Sequence, residues 1–276
     1  MSVKVPPRSI QNCQASDSGN RNGGRRLRHY RIETHNGRST GRSPMLGILT
    51  LDTAFPRIRG DLGCPETFAF PVRYATPTGA VVERIVHGGD DSMLPAFIGA
   101  ARSLADAGAI GVTTTCGFLA RWQDRLAAAT PVPVLTSSLL QVGLVARTLP
   151  PGRRVGVVTY SAADLTVEIL EAAGVPADSP IEGVDPGGVF ARTIRFGSPG
   201  LDEPAMAADV AAAARRLVDA HRDVGAIVLE CANMPPYRAA VEAATGLPVF
   251  DAAQLVAWFY AGLAGSRRPH PSRNLW

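Results

Sequence analysis

The chain has 276 residues with 46% hydrophobic residues and 28 glycines, which suits one large soluble α/β domain or two ordinary ones. No apolar run approaches the ~20 residues of a membrane span, and four widely spaced cysteines make neither a secreted disulfide framework nor a zinc ribbon. The charge of +4 comes from residues 1–44, where nine Lys/Arg face Asp17 and Glu33, so the remainder holds 19 bases and 22 acids. We therefore expect a cytoplasmic protein with no nucleic-acid partner, no membrane association and no metal site.

Residues 1–44 are rich in Arg, Asn, Gly and Ser and lack apolar periodicity. This composition cannot bury enough surface to offset the entropy of ordering, and it predicts a disordered basic tail. An organelle transit signal, a nucleic-acid-binding arm and a start codon placed too early, with Met45 as the true first residue, are the alternatives.

The first half then shows alternating strand and helix patterns. Residues 52–66 are rich in Pro and Gly and predict a long loop, and a loop of that length inside a domain is more often functional than idle, so Asp52 is a candidate for lining a cleft. The predicted strands are 46–50, 81–86, 110–114 and 132–135, and the predicted helices are 93–107, 117–129 and 138–148.

The second half begins after the break at residues 150–152. It predicts strands at 155–159, 226–230 and 249–250, and helices that start at Tyr160 and Ser161 and that cover 204–221, 235–244 and 252–264. Residues 265–276 are basic and contain Pro, and they predict a loose end.

The two halves repeat one another. From Cys116 and Cys231 onward the sequences align with a constant offset of 115 residues, and Leu46-Gly-Ile-Leu-Thr50 is repeated as Val155-Gly-Val-Val-Thr159. A repeat this long is not a solenoid unit, so the sequence predicts an α/β fold of two pseudo-symmetric lobes. Each lobe has a mostly parallel sheet flanked by helices, and the active site lies in the cleft between them.

Each half carries a cysteine after a predicted strand, which places two thiols near that cleft. One thiolate can remove a proton from a carbon next to a carboxyl or carbonyl group while the facing thiol delivers a proton to the opposite side, with no cofactor. A cysteine hydrolase would instead need a histidine in a triad, and no such motif is recognisable. A buried structural cysteine and a disulfide between the two remain alternatives.

Proton abstraction requires a thiol pKa below the usual ~8.5, and a helix N-terminus lowers it. Both cysteines precede helical patterns, so we expect this effect at both. The same helix ends, together with nearby polar side chains, predict a cradle for a substrate carboxylate. The substrate-binding candidates are Asp52, Thr114, Thr115, Gly117, Ser137, Ser138, Tyr160, Ser161, Ala232 and Asn233, although local capping explains a hydroxyl at a strand-to-helix turn equally well.

The segments 46–50, 113–117, 155–159 and 229–234 together resemble the aspartate/glutamate/hydantoin racemase superfamily over residues 45–264. The resemblance implies cofactor-independent racemisation or epimerisation of a small carboxylate, an amino acid or a derivative of one, with Cys116 and Cys231 as the bases. It also implies a first lobe of residues 45–137 plus 252–264 and a second lobe of residues 138–251.

Glutamate racemases carry Asp-Ser-Gly after the first strand and a histidine two residues past the second cysteine, where this chain has Thr50-Leu-Asp52 and Asn233. The Cys-Ala-Asn-Met segment is closer to hydantoin-racemase-like members. A cis-trans isomerase of the maleate type, with a covalent cysteine adduct, and a non-catalytic small-molecule binding module are the alternative functions, and a homo-oligomer is left open.

Overall fold

A computed structural model describes residues 30–35 and 44–265. Within this part the chain forms two β-sheets flanked by helices. The strands are β1 Tyr30–His35, β2 Met45–Leu49, β3 Val72–Pro77, β4 Ala109–Thr114, β5 Val134–Leu135, β6 Arg154–Thr159, β7 Ile181–Gly183, β8 Val224–Leu229 and β9 Val249–Phe250. The helices are α1 Leu94–Asp106, α2 Gln123–Ala129, α3 Val142–Ala146, α4 Val167–Ala172, α5 Val189–Phe196, α6 Glu203–Ala220, α7 Arg238–Thr245 and α8 Ala252–Gly265.

Apart from the additional edge strand β1, the two sheets have corresponding strand orders. The first runs β1-β3-β2-β4-β5 and the second runs β7-β6-β8-β9. All strand pairs are parallel except that of β1 with β3. Every residue of β4 is buried, as expected for a parallel strand that is covered on both faces. The α/β fold with two pseudo-symmetric halves is therefore confirmed.

The sequence repeat corresponds to a repeated packing contact. A Cβ atom added to Gly47 of β2 would lie 3.0 Å from the Leu104 side chain of α1. A Cβ atom on Gly156 of β6 would lie 2.6 Å from the Leu217 side chain of α6. A glycine in the first strand of each half thus lets the main helix of that half approach the sheet closely.

Two helices next to the strand ends pack on different sheets. Leu255 and Val256 of α8 are buried in a cluster with Leu46 and Ile48 of the first sheet. Helix α3 contacts β6 of the second sheet. The proposed lobe boundaries, 45–137 plus 252–264 and 138–251, stay a prediction.

The tail prediction is wrong at one place. Residues 30–35 form β1, which pairs antiparallel with β3 along its whole length. Ile32 packs against the main core, so this short stretch gains a partner that its local composition does not reveal. The rest of the predicted tail, and residues 266–276 of the predicted loose end, lie outside the described residues.

Two other predicted elements are wrong. Residues 81–86 were expected to be a strand, but Glu83–His87 forms one π-helical turn and the strand lies earlier, at β3. Ile85 and Val86 are buried, so their apolar character reflects core packing and not strand pairing. A helix was expected to start at Tyr160 and Ser161, whereas α4 begins only at Val167 after a turn.

The predicted helices that follow the two cysteines begin as 3-10 turns. Gly117–Trp122 precedes α2, and Pro235–Tyr237 precedes α7. In residues 30–35 and 44–265, no helix combines the length and apolar character that crossing a membrane requires.

Candidate active site

The two cysteines lie beyond the carboxyl ends of corresponding strands. Cys116 follows β4 and caps the turn Gly117–Trp122, and Cys231 follows β8. Both thiols are free and largely buried, with 7% and 8% of each residue exposed. Parallel strands place their carboxyl ends at one edge of a sheet, and this edge is where open α/β sheets usually bind ligands.

Both cysteines line one cavity, whose volume is about 390 Å³ including its open mouth. Its wall is mostly apolar, with a few polar groups, which is typical of sites for small ligands. The lining residues are Leu51, Thr53, Arg57, Val82, Val86, Thr115, Cys116, Gly117, Phe118, Tyr160, Ile194, Glu230, Cys231 and Asn233. The structure therefore brings together five of the predicted binding or catalytic positions besides Cys116: Thr115, Gly117, Tyr160, Cys231 and Asn233.

The thiol pKa values are raised, contrary to our expectation. Burial raises the pKa of Cys116 to about 12, and the Glu230 carboxyl adds to this effect. The backbone N–H groups of Phe118 and Leu119 lower the Cys116 pKa, as the capping argument predicts, but they are outweighed. The pKa of Cys231 is raised for the same two reasons, against a lowering contribution from the Asn233 N–H.

Glu230 is the residue that the sequence analysis missed. It lies directly before Cys231 and is 1% exposed, and its Oε2 accepts a hydrogen bond from the Thr159 hydroxyl at 2.8 Å. Its other oxygen, Oε1, is buried without a hydrogen-bond partner. Burial raises the Glu230 pKa from 4.5 to about 7, although the Thr159 hydroxyl and the Tyr160 N–H lower it.

Gly117 makes the space that Glu230 occupies. A Cβ atom at position 117 would lie 2.0 Å from Glu230 Oε1, which no side chain can tolerate. The absence of a side chain lets the carboxyl pack against the backbone beside Cys116. The substrate-binding role of Gly117 stays a prediction.

Part of the predicted cradle lines a second cavity of about 240 Å³, including its mouth. Gly117 and Glu230 line both cavities and so stand between them. Thr114, Ser137, Ser138 and Ala232 line the second cavity and not the first. The Thr114 hydroxyl accepts a hydrogen bond from the Cys116 N–H, and the Ser137 hydroxyl accepts one from the Leu139 N–H, which supports the capping interpretation for these two.

The long loop contributes a different residue from the one predicted. Asp52 is exposed and lines neither cavity, so its expected place in the cleft is wrong. Arg57 lines the first cavity and its Nη1 donates to both carboxylate oxygens of Asp61, at 3.1 and 3.0 Å. Asp61 also accepts from Asn233 Nδ2 at 2.8 Å, and the Cys231 Sγ lies 3.5 Å from Asn233 Oδ1.

A chain of polar groups leads from the first cavity toward the surface. Tyr160 lines the cavity, and its hydroxyl lies 3.3 Å from His87 Nε2. His87 Nδ1 lies 2.8 Å from Asp164 Oδ2, and the His87 side chain is 25% exposed. The predicted binding residue Ser161 does not line either cavity; its hydroxyl donates to Asp164 at 2.6 Å.

No group of three or more His, Cys, Asp and Glu side chains within residues 30–35 and 44–265 is arranged to hold a metal ion. The absence of any cofactor requirement stays a prediction.

A family model for Asp/Glu/Hydantoin racemase matches residues 72–260. The chain belongs to this family. Among its relatives, dimethylsulfoniopropionate lyase 7 of Emiliania huxleyi is 30% identical over 247 residues, which cover 82% of this chain and 69% of that protein. The dimethylsulfoniopropionate lyase of Durusdinium sp. clade D is 26% identical over 237 residues, which cover 81% of this chain and 76% of that protein.

Solved structures of other enzymes share the fold. A mutant of arylmalonate decarboxylase in a sulfate-associated form has a TM-score of 0.57 at 22% identity, covering 83% of this chain and 97% of that one. The aspartate racemase of Picrophilus torridus has a TM-score of 0.50 at 14% identity, and the match covers 80% of this chain and 94% of that one. The family resemblance predicted from the sequence is therefore confirmed, and the named relatives and neighbours are enzymes of more than one reaction type.

Proposed function

We propose that the chain is a cofactor-independent enzyme that removes a proton from the carbon next to the carboxylate of a small substrate, with Cys116 and Cys231 as proton-transferring groups. The observation that carries the proposal is that both cysteines line one small, mostly apolar cavity. Exclusion of water from such a cavity strengthens every electrostatic interaction inside it.

The reaction that we favour for this chain is a lyase reaction, as in the named relatives. A thiolate takes the α-proton and becomes a thiol, the electron pair forms the Cα–Cβ double bond, and the β-substituent departs with the electrons of its bond. With dimethylsulfoniopropionate the departing group is neutral dimethyl sulfide and the other product is acrylate. One proton is left on the cysteine.

The cavity has groups that suit the carboxylate and the leaving group of such a substrate. Arg57 lines the cavity, and a substrate carboxylate there would share its guanidinium with Asp61 and Thr53, to which Nη1 and Nη2 donate. Leu51, Val82 and Ile194 give apolar contacts that suit methyl groups on a leaving group. An ammonium group would instead require hydrogen-bond acceptors at these positions.

The proton left on the cysteine must reach solvent before the next turnover. Tyr160, His87 and Asp164 supply a hydrogen-bonded route from the cavity to a partly exposed histidine. A histidine suits this role because each of its two ring nitrogens can accept or donate a proton.

Racemisation is the second candidate, and one observation favours it. Cys116 and Cys231 follow corresponding strands of two similar sheets and line the same cavity, so one thiol can take a proton while the other delivers one. This reaction is the one expected from the sequence, on an amino acid, a hydantoin or a related carboxylate.

The test is to give the purified chain each type of substrate. Incubation with dimethylsulfoniopropionate, followed by gas chromatography of the headspace, is expected to show dimethyl sulfide. Proton NMR in D₂O with enantiopure aspartate, glutamate and hydantoins measures loss of the α-proton signal, and this loss without an alkene product would instead favour racemisation. If neither sulfide release nor α-proton exchange occurs across the panel, the proposed function is wrong.

A further inference from the structure

Glu230 has a hydrogen-bonding arrangement that the proposed reaction does not use. Its Oε2 is bonded to Thr159, whereas Oε1 is fully buried with no partner. Native proteins rarely leave a buried carboxylate oxygen unpaired, and such groups are enriched at sites of chemistry. Gly117 is required for this placement, because any side chain there would collide with Oε1.

The titratable groups around Glu230 come from every element that meets at the cavity. Cys116 precedes the turn after β4, Cys231 follows β8, and Tyr160 follows β6. Arg57 lines the same cavity, and Asp61 lies against Arg57 from the long loop. Asp61 is paired with Arg57, whereas Glu230 is adjacent to Cys231 in the chain, touches Gly117 beside Cys116 and lines both cavities.

We propose that Glu230 is the internal proton acceptor for both cysteines, so that a thiolate forms in this cavity only when the Glu230 carboxyl carries the proton. The step conserves charge. A thiol S–H bond breaks, the proton is taken by the Glu230 carboxylate, and the products are a thiolate and a neutral carboxylic acid. No proton enters or leaves the cavity.

Electrostatics within the cavity explain why a thiolate requires a protonated Glu230. A thiolate and an ionised Glu230 would place two negative charges in one poorly hydrated space, which is costly. Proton transfer from a thiol to Glu230 avoids the second negative charge. This transfer also provides a thiolate without proton exchange with solvent when a substrate closes the cavity. Like other strongly interacting acids, the three groups titrate as a unit.

The proposal predicts a distinctive pH dependence for alkylation of the cysteines by iodoacetamide, read for each cysteine by peptide mass spectrometry. In the wild-type chain the rate rises tenfold per pH unit while Glu230 is protonated. It then levels off near pH 7, where the Glu230 pKa lies, because each further proton lost comes from the carboxyl. In Glu230→Gln the rate at Cys116 and Cys231 continues to rise and is about 30-fold above wild type at pH 8.5, because the wild-type rate has been level over the last ~1.5 pH units.

Cys64 is a matched internal control, since it is buried but bonds to Glu66 and lines neither cavity. Its alkylation profile is expected to be the same in both proteins. Profiles at Cys116 and Cys231 that stay parallel in wild type and Glu230→Gln would overturn the proposal.

A second variant keeps Glu230 in place, in case Glu230→Gln folds poorly. Thr159→Val removes the hydrogen bond that favours the ionised Glu230 carboxyl. The break in the alkylation profile, which is the pH at which the rate levels off, is therefore expected to move upward by about one pH unit. Thr130→Val is the matched control, because the Thr130 hydroxyl is buried without a hydrogen bond, and its break is expected to stay in place. A break that does not move in Thr159→Val contradicts the proposal.

These measurements need no substrate. A chain that turns over none of the tested carboxylates can still show the break at Glu230, and an active chain can lack it. Failure of this inference and failure of the proposed function are therefore distinguishable.

Discussion

At the scale of single residues, the Glu230 carboxyl ties the stability of the fold to pH. Its folded-state pKa is raised to about 7, so the folded protein holds this proton at pH values where the unfolded chain has released it. The stabilisation from the protonated carboxyl is complete below pH ~4.5, is lost as the pH rises toward ~7, and is then constant. The raised Glu230 pKa corresponds to a change of about 3 kcal/mol in the free energy of unfolding, at 1.36 kcal/mol per pKa unit.

Urea unfolding of wild type and Glu230→Gln between pH 4.5 and pH 8 measures this pH-dependent change in stability. From pH 4.5 to pH 8 the free energy of unfolding of the glutamine variant is expected to rise by about 3 kcal/mol relative to that of wild type, because glutamine does not ionise. Other titrating groups cancel in the comparison. A difference between the two proteins that stays constant with pH would refute the raised pKa.

Gly117 is the second residue at which a single substitution is informative. Gly117→Ala places a Cβ 2.0 Å from Glu230 Oε1, and we expect a loss of about 1–3 kcal/mol in the free energy of unfolding. Gly99→Ala is the matched control, since Gly99 lies inside α1 with no atom within 4 Å of an added Cβ, and it is expected to gain about 0.5–1 kcal/mol. Adding Glu230→Ala to Gly117→Ala should restore most of the loss, whereas additive effects would mean that the two residues do not collide.

At the scale of elements, the long loop after β2 fastens to the turn after β8. Arg57 and Asp61 form a largely buried ion pair, with side chains 15% and 4% exposed, and Asn233 donates to Asp61. The backbone N–H of Leu62 also donates to the Ala232 carbonyl at 3.2 Å. This loop therefore holds part of the cavity wall against the second half.

Removal of Asp61 should loosen that attachment. Asp61→Ala leaves Arg57 largely buried without its carboxylate, and breaking such a pair typically costs about 3–5 kcal/mol. Asp52→Ala, an exposed aspartate in the same loop, is the control and should change stability by less than about 0.5 kcal/mol. Thermal or urea unfolding measures both, and equal effects of the two variants would contradict the role given to Asp61.

The sequence predicted best those elements that lie in the interior of the two halves. Strands β4 and β6 and helices α1 and α6 appear close to their predicted positions, because buried parallel strands and long amphipathic helices leave strong periodic signals. The π-helical turn at Glu83–His87 could not be recognised, since its buried Ile85 and Val86 give the same apolar run as a strand. Strand β1 depends on pairing with β3, which is distant in the sequence.

The candidate site was predictable in part for a similar reason. The repeat located both cysteines, because duplicated halves place corresponding residues in corresponding positions. It could not reveal that Gly117 and Glu230 separate two cavities, which depends on packing between the halves. One signal was available: a glutamate at the end of an apolar strand, directly before a cysteine, is out of place unless the carboxyl has a function.

At the scale of the whole molecule, each of two similar sheets has a cysteine beyond the end of one strand, and both cysteines line one shared cavity. The site is therefore assembled from both halves: Glu230 and Tyr160 come from the second, and Arg57 and Gly117 from the first. Duplication explains the paired cysteines, and the differences between the halves explain why the two thiols have unequal surroundings. Cys116 faces the N–H groups of a turn, whereas Cys231 is linked through Asn233 to the loop.

The central claim is that the two cysteines of the shared cavity are its proton-transferring groups. Its most direct test is the rate of dimethyl sulfide release, or of α-proton exchange if that is the activity found, in Cys116→Ser, Cys231→Ser and the control Cys64→Ser. Loss of an acid or base group typically costs about 10²–10⁴ in rate, so a fall of at least about 100-fold is predicted for both of the first two variants in racemisation, for at least the variant that lacks the base in sulfide release, and little change is predicted for the third. Near-wild-type rates in both Cys116→Ser and Cys231→Ser would contradict the account.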